Sequence, residues 1–164
     1  MAFNTAKRLL RTGLAVLLVG LAACHDPFAE EALAATPAAA TLDVVTVKVT
    51  AKGKVHSYRA EVARTPAQQA QGLMYRTKMA PGAGMIFLFP EPRMASFWMA
   101  NTYLPLDIIF IASDGKVINV GEGVPLTTKT VESTAPAGSV LELNRGEAAR
   151  IGLKAGDKVT WAAK

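Results

Sequence analysis

Val45, Val47 and Val49 alternate with Thr46, Lys48 and Thr50, and the run stops at Lys52-Gly53. A period of two marks a strand with one buried face. Lys52-Gly53 suits a two-residue hairpin turn. Pairing across it sets Val49 beside His56, Val47 beside Tyr58 and Val45 beside Ala60. The apolar faces then coincide, so the register enforces itself: a slip of one residue would turn every valine toward solvent. His56 falls near the hairpin end of the apolar face and is read as a half-buried structural histidine, since no second histidine lies nearby.

Other runs repeat the strand pattern. Residues 85–89 are continuously apolar, which predicts burial on both faces. Pro90-Glu91-Pro92 is expected to break that strand, and residues 94–99 are read as the next one. Residues 108–112 and 116–120 flank Asp114-Gly115, a strong hairpin signal. Residues 140–143 and 158–161 supply two more strands. Two short helices interrupt them. Thr65 can cap the first, with Pro66 at its first position, Gln68 completing a capping box and Gly72 ending it. Asn144 and Glu147 are read as a second capping box, with Gly152 closing that helix. The expected fold class is mainly β: a compact antiparallel β-barrel or sandwich of seven to eight short strands with two short helices.

The N-terminal segment has a different character. Lys7, Arg8 and Arg11 precede an uncharged run from 13 to 23, too short to span a bilayer, which needs about 20 residues. Basic start and short apolar run together read as a signal peptide over 1–23. It ends in Leu21-Ala22-Ala23-Cys24, similar to the lipobox of bacterial lipoproteins, so Cys24 is the expected lipidation site. The alternative is plain export with a cut after Ala34. Cys24 is the sole cysteine, so no intramolecular disulfide can form. Residues 24–42, rich in Ala, Pro and Thr, read as a flexible tether. One globular domain is left over 43–164. The expected location is the periplasmic side of the envelope, held by a lipid anchor. His25 in place of Asp after the cysteine favours the outer membrane.

Charge narrows the partners. The chain carries 18 basic and 13 acidic residues, a net charge of +5. Without Lys7, Arg8 and Arg11 the balance is 15 to 13, and no block of like charge remains. Nucleic acid is therefore not an expected partner. A small molecule or an envelope polymer is.

Four stretches carry a family resemblance: VARTPAQQAQGLMYR (62–76), GMIFLFP (84–90), SFWMANTYLPLDIIFI (96–111) and VLELNRGEAARIGLKAGDKV (140–159). In them the chain resembles the domain of unknown function 192 family of bacteria and archaea. The resemblance implies a compact, mostly β fold and supplies no reaction. The family usually has Lys where this chain has Ala100, which implies weaker binding of any anion that lysine holds. Arg145-Gly146-Glu147 also departs from the Ala or Ser-Gly usual at the second helix start.

The candidate binding residues are Arg76, Trp98, Asn101, Thr102 and Asp107. In a strand, Phe97 and Met99 point one way and Ser96 and Trp98 the other. With Phe97 and Met99 in the core, Trp98 offers a stacking platform for sugars or aromatic rings. Packing of Trp98 under a helix or loop is the commoner fate in a domain this small. Asn101 and Thr102 are read as turn-forming residues at the strand end. Counting back from Asp114-Gly115 sets Asp107 opposite Glu122, and opposed like charges need an offset. Arg76 and Arg93 are the candidates, with Asp107–Arg76 the expected pair.

Catalytic and metal signatures are thin. No nucleophile-elbow motif accompanies His56, and His, Cys and carboxylates are not clustered at ligand spacing. No cofactor or catalytic residue is assigned. Met74, Met79, Met85, Met94 and Met99 could in principle take Cu(I), but their wide spacing reads as core filling. Three functions stay open: a non-catalytic envelope module binding a ligand through Trp98, a carboxylate-based hydrolase, and a structural lipoprotein that binds another envelope protein.

Overall fold

The computed structural model describes residues 41–162. The expected signal peptide, Cys24 and nearly all of the tether lie outside the described residues. Nine strands and two helices follow in order: β1 (Val44–Ala51), β2 (Lys54–Ala63), α1 (Pro66–Gln71), β3 (Ala83–Arg93), β4 (Ser96–Phe97), β5 (Leu106–Ile111), β6 (Val117–Gly123), β7 (Val131–Glu132), β8 (Ala137–Asn144), α2 (Glu147–Ile151) and β9 (Lys158–Trp161). Seven strands form one mixed sheet in the order β6-β5-β8-β3-β2-β1-β9. The two-stranded β4-β7 pair stands apart from it.

The β1–β2 hairpin has the expected register, Val45 to Ala60, Val47 to Tyr58 and Val49 to His56. Lys52 and Gly53 both take positive φ, as its turn requires. The fold is mainly β, but two features differ from expectation. The β2–β3 pair is parallel, because α1 carries the chain over and back in the same direction. The sheet is also not a closed barrel: its edges touch at the isolated Lys116–Lys158 bridge and through short backbone links such as Val159 N–H to Gly115 C=O, 2.8 Å.

Strand β5 shows how the core divides. Ile109 and Ile111 join Val45, Val47, Val49, Ile86, Leu141 and Leu143 on one face of the sheet, where Ile151 of α2 also packs. Leu106, Ile108 and Phe110 join Met85, Phe87 and Val140 on the other, covered by Leu73, Ala95, Met99 and Leu104. Every β5 residue is buried, which is why its sequence does not alternate. The covering segment sits close. A β-carbon at Gly121 would overlap Val131 of β7, and one at Gly123 would lie 2.8 Å from the Met99 sulfur.

Several local expectations are corrected. Strand β3 runs through Pro90-Glu91-Pro92 to Arg93, because the prolines fall in a register shift between Leu88 and Arg93. There no ladder hydrogen bond is asked of them. The strand expected over 94–99 is only Ser96–Phe97, after which the chain turns away as a loop over the sheet. The Asp114-Gly115 turn has three residues, not two: Ala112 N–H bonds to Lys116 C=O, and Gly115 takes φ 81°. A bulge then shifts the register between Phe110 and Ile111. It restores the pairing, so Asp107 does stand opposite Glu122.

Candidate functional site

The Thr65 cap forms as the sequence predicts, with Gln68 N–H donating to Thr65 Oγ1 and the Gln68 side chain accepting from Thr65 N–H. Gln69 then fastens α1 to the sheet. Its Nε2 donates to Leu88 C=O at 2.8 Å, and to the carbonyls of Ala63 and Arg64 at 3.3 Å. This holds the helix as one wall of a groove.

The groove has a volume of about 660 Å³. Pro66, Gln69 and Ala70 form the α1 wall. Phe87, Phe89, Pro90, Glu91 and Arg93 of β3 form the floor, and Ser96, Phe97 and Trp98 the opposite wall. Phe97 stands edge-on between Phe87 and Phe110, at centroid separations of 5.0 and 6.0 Å. Such edge-to-face contacts fix ring orientation. The Arg93 guanidinium lies 4.2 Å over the Phe89 ring. Trp98 is 56 % exposed, while Met99 and Phe97 turn inward. The strand parity therefore holds, and the commoner buried fate does not apply to this tryptophan.

A smaller recess of about 40 Å³ adjoins the groove and shares Gln69, Ala70, Phe87, Phe97 and Trp98 with it. Thr102 and Glu142 line its remaining side. Glu142 sits on β8 in the middle of the sheet, between Ile108 of β5 and Met85 of β3. It is 5 % exposed, and burial pushes its carboxyl up to about 8. No side chain of the described residues donates to it. A carboxyl in that setting is neutral at pH 7 and can donate a hydrogen bond.

The five sequence candidates divide. Trp98 and Thr102 come together on these walls. Asn101 does not join them: it takes φ 60° in the turn, and its carbonyl accepts from Tyr75 N–H at 2.8 Å. Arg76 does not reach Asp107. It makes two 2.6 Å bonds to Glu61, and these hold the Glu61 carboxyl below its ordinary range. Asp107 faces the other side of the sheet, where it is 5 % exposed and accepts from Ala148 N–H at 2.8 Å. Asp107 thus caps α2 from across the fold. Asn144 and Glu147 do not form the expected capping box. The N-cap is Gly146, without a side-chain bond. Asn144 donates to the Met79 and Ala80 carbonyls, and Glu147 is held by Tyr58 and Arg150. Arg145, not Arg76 or Arg93, pairs with Glu122.

This geometry has a direct test. A Glu61→Gln, Arg76→Met double-mutant cycle is expected to give a coupling of about 0.5–1 kcal/mol in urea unfolding, since both groups are about a third exposed. Arg76→Met with Asp107→Asn should instead add within about 0.5 kcal/mol. Coupling in the second cycle above that level would contradict the assigned partners.

Sequence reading missed Glu142, Gln69 and the phenylalanine floor. One signal pointed to Glu142: an acid inside the apolar run Val140 to Leu143. A charged residue there is either on a solvated face or buried for a reason.

Comparison with known proteins places the domain. A crystal structure of a protein of unknown function from Novosphingobium aromaticivorans DSM 12444 is 47 % identical, with a TM-score of 0.72, covering 77 % of this chain and 91 % of that one. A Sinorhizobium meliloti 1021 protein, described as a candidate transcription regulator, is 41 % identical with a TM-score of 0.72, covering 74 % of this chain and 95 % of that one. No curated protein matches the chain. The DUF192 family pattern, described as uncharacterized ACR, matches residues 47–161. The chain therefore belongs to the DUF192 family.

Proposed function

We propose that the domain binds a small organic molecule with a flat aromatic or apolar face, held in the groove against Trp98. The observation that carries this reading is the exposed indole on the wall of a groove floored by ordered phenylalanine rings. A volume of about 660 Å³ lies within the usual small-ligand range of about 300–1,000 Å³. Largely apolar walls with a few polar groups are also what such sites use. In this reading the domain works on the periplasmic side of the envelope, tethered through a lipid on Cys24. The support for that placement is the N-terminal sequence.

If the role in the description of the Sinorhizobium relative carried over, nucleic acid would be the competing ligand. The groove favours the smaller partner. Among the described residues its one arginine lies over a phenylalanine ring and Glu91 adds an acid, whereas a phosphate backbone calls for a run of free bases.

Trp98→Ala is expected to weaken binding of an aromatic ligand about tenfold or more, on the order of 1.4–2 kcal/mol. Stability should change by no more than about 0.5 kcal/mol, because the ring contributes little to the core. Saturation-transfer NMR with aromatic and saccharide fragments, run on both proteins, measures the first effect. Equal binding by both proteins would remove the groove as the site.

A further inference from the structure

The small recess behind the groove has features that the groove alone does not explain. Glu142 reaches the middle of a seven-stranded sheet with no hydrogen-bond partner for its carboxyl among the described residues. Thr102, 5 % exposed, also lines the recess, and its hydroxyl makes no hydrogen bond to a described residue. Gln69 spends its Nε2 on three backbone carbonyls, which leaves its side-chain carbonyl oxygen unused. Buried polar groups are normally paired, so three acceptor-bearing side chains open on one cavity can be completed by a ligand group that takes the place of water.

We infer that this recess is an ammonium site: Glu142, Thr102 and Gln69 take the three N–H groups of a primary amine whose apolar body lies in the groove beneath Trp98. The inference rests on the groove reading above and specifies its ligand class.

Three observations support it. The recess, at about 40 Å³, exceeds the roughly 10–15 Å³ of cavity space that one water needs, so a small polar group such as an ammonium fits it. Its walls include the aromatic side chains of Phe87, Phe97 and Trp98, and an aromatic ring attracts a cation placed over its face. Among the described residues no lysine, arginine or histidine lines it. On the same face of the sheet Glu61 stands opposite Met85, and Arg76 directs both terminal guanidinium nitrogens to Glu61. Among the described residues no positive charge lines the recess, so a cationic ligand would supply the charge that favours ionised Glu142. A divalent metal fits less well, because such ions want several carboxylate or imidazole ligands. Among the described residues no group of three or more His, Cys, Asp or Glu could supply them.

Proton balance follows. In the empty recess burial keeps the carboxyl protonated at pH 7. When an ammonium enters, the O–H bond of Glu142 breaks, the proton passes to solvent, and a carboxylate–ammonium pair remains. Binding near pH 7 should release close to one proton per amine bound.

The test uses the full chain and three probes of one shape: 2-phenylethylamine, 2-phenylethanol and 3-phenylpropionate. Calorimetry at pH 7 in phosphate and in Tris gives affinity and proton release together. The amine is expected to bind at least tenfold more tightly than the alcohol, with proton release. Its binding should move the Glu142 carboxyl carbon shift to the ionised value. Glu142→Gln should erase the preference for amine over alcohol. Equal binding of amine and alcohol without proton release would overturn the ammonium site and leave the groove reading standing. Preference for the carboxylate would overturn it as well, since Glu142 would then act as a neutral donor. Failure of all three probes, with Trp98 resonances unmoved, would remove both readings.

Discussion

Replacing Glu142 with glutamine is expected to raise the unfolding free energy at pH 9 by several kcal/mol and to change it by no more than about 1 kcal/mol at pH 4. The carboxyl titrates near 4.5 when unfolded and near 8 in the fold, with burial as the cause. Between those values the folded state holds a proton that the unfolded chain has released. Stability therefore falls as pH rises through that window, and is flat on either side of it. At about 1.36 kcal/mol per unit the full swing is roughly 5 kcal/mol, an upper figure because water can enter the adjoining recess. Glutamine has the same shape and no charge to desolvate, so its stability should lack that slope. Glu61 and Glu147 titrate low, each held by a hydrogen-bonded arginine, and they act in the opposite direction at acid pH. They are common to both proteins, so the difference isolates Glu142. Urea titrations of both proteins from pH 4 to 9 measure it. Parallel profiles would mean that Glu142 is solvated or paired. A wild-type protein that grows more stable from pH 5 to 8 relative to the variant would reverse the sign and refute the burial argument.

What could be read from the sequence follows the distance over which each interaction acts. The β1–β2 register was legible because a period of two and an adjacent turn determine it locally. The Asp107–Glu122 pairing was legible for a related reason, although by a route the count did not include. The three-residue turn and the bulge after it offset one another. The partners of those carboxylates were not legible. Arg145 and the Ala148 N–H come from the far end of the domain, brought in when β8 pairs with β5. Arg76 lay in a quoted motif but was taken by Glu61, whose place beside it depends on the parallel β2–β3 pairing. Trp98 was read correctly as to face, since alternation from Phe97 and Met99 is local. The groove it lines was not, because α1, β3 and the 94–105 loop meet there only in three dimensions. Glu142 gave a visible signal, an acid in an apolar strand, but its meaning depended on neighbours from three other elements.

Phe87→Ala is expected to cost about 3–5 kcal/mol of stability and to abolish ligand binding in the groove, in contrast with Trp98→Ala, which should affect binding alone. Phe87 is 1 % exposed on β3 and packs edge-on against Phe97, which in turn packs against Phe110. Removing the ring leaves a cavity that β3 cannot close, because its backbone is paired with β2 on one side and β8 on the other. The cost therefore includes lost burial and a residual void. The same ring forms the floor of the groove and one wall of the Glu142 recess. Without it Phe97 loses its fixed orientation, and water reaches Glu142 more freely. That second consequence separates a lost floor from mere destabilisation. In Phe87→Ala the Glu142 carboxyl should titrate closer to its ordinary value, and the fall in stability between pH 4.5 and 8 should shrink. Phe87→Leu restores part of the volume and should recover about half of the lost stability. A carboxyl-carbon titration of Glu142 in all three proteins decides the point. An unchanged Glu142 titration in Phe87→Ala would show that the ring does not shield the acid, and that groove and recess are independent.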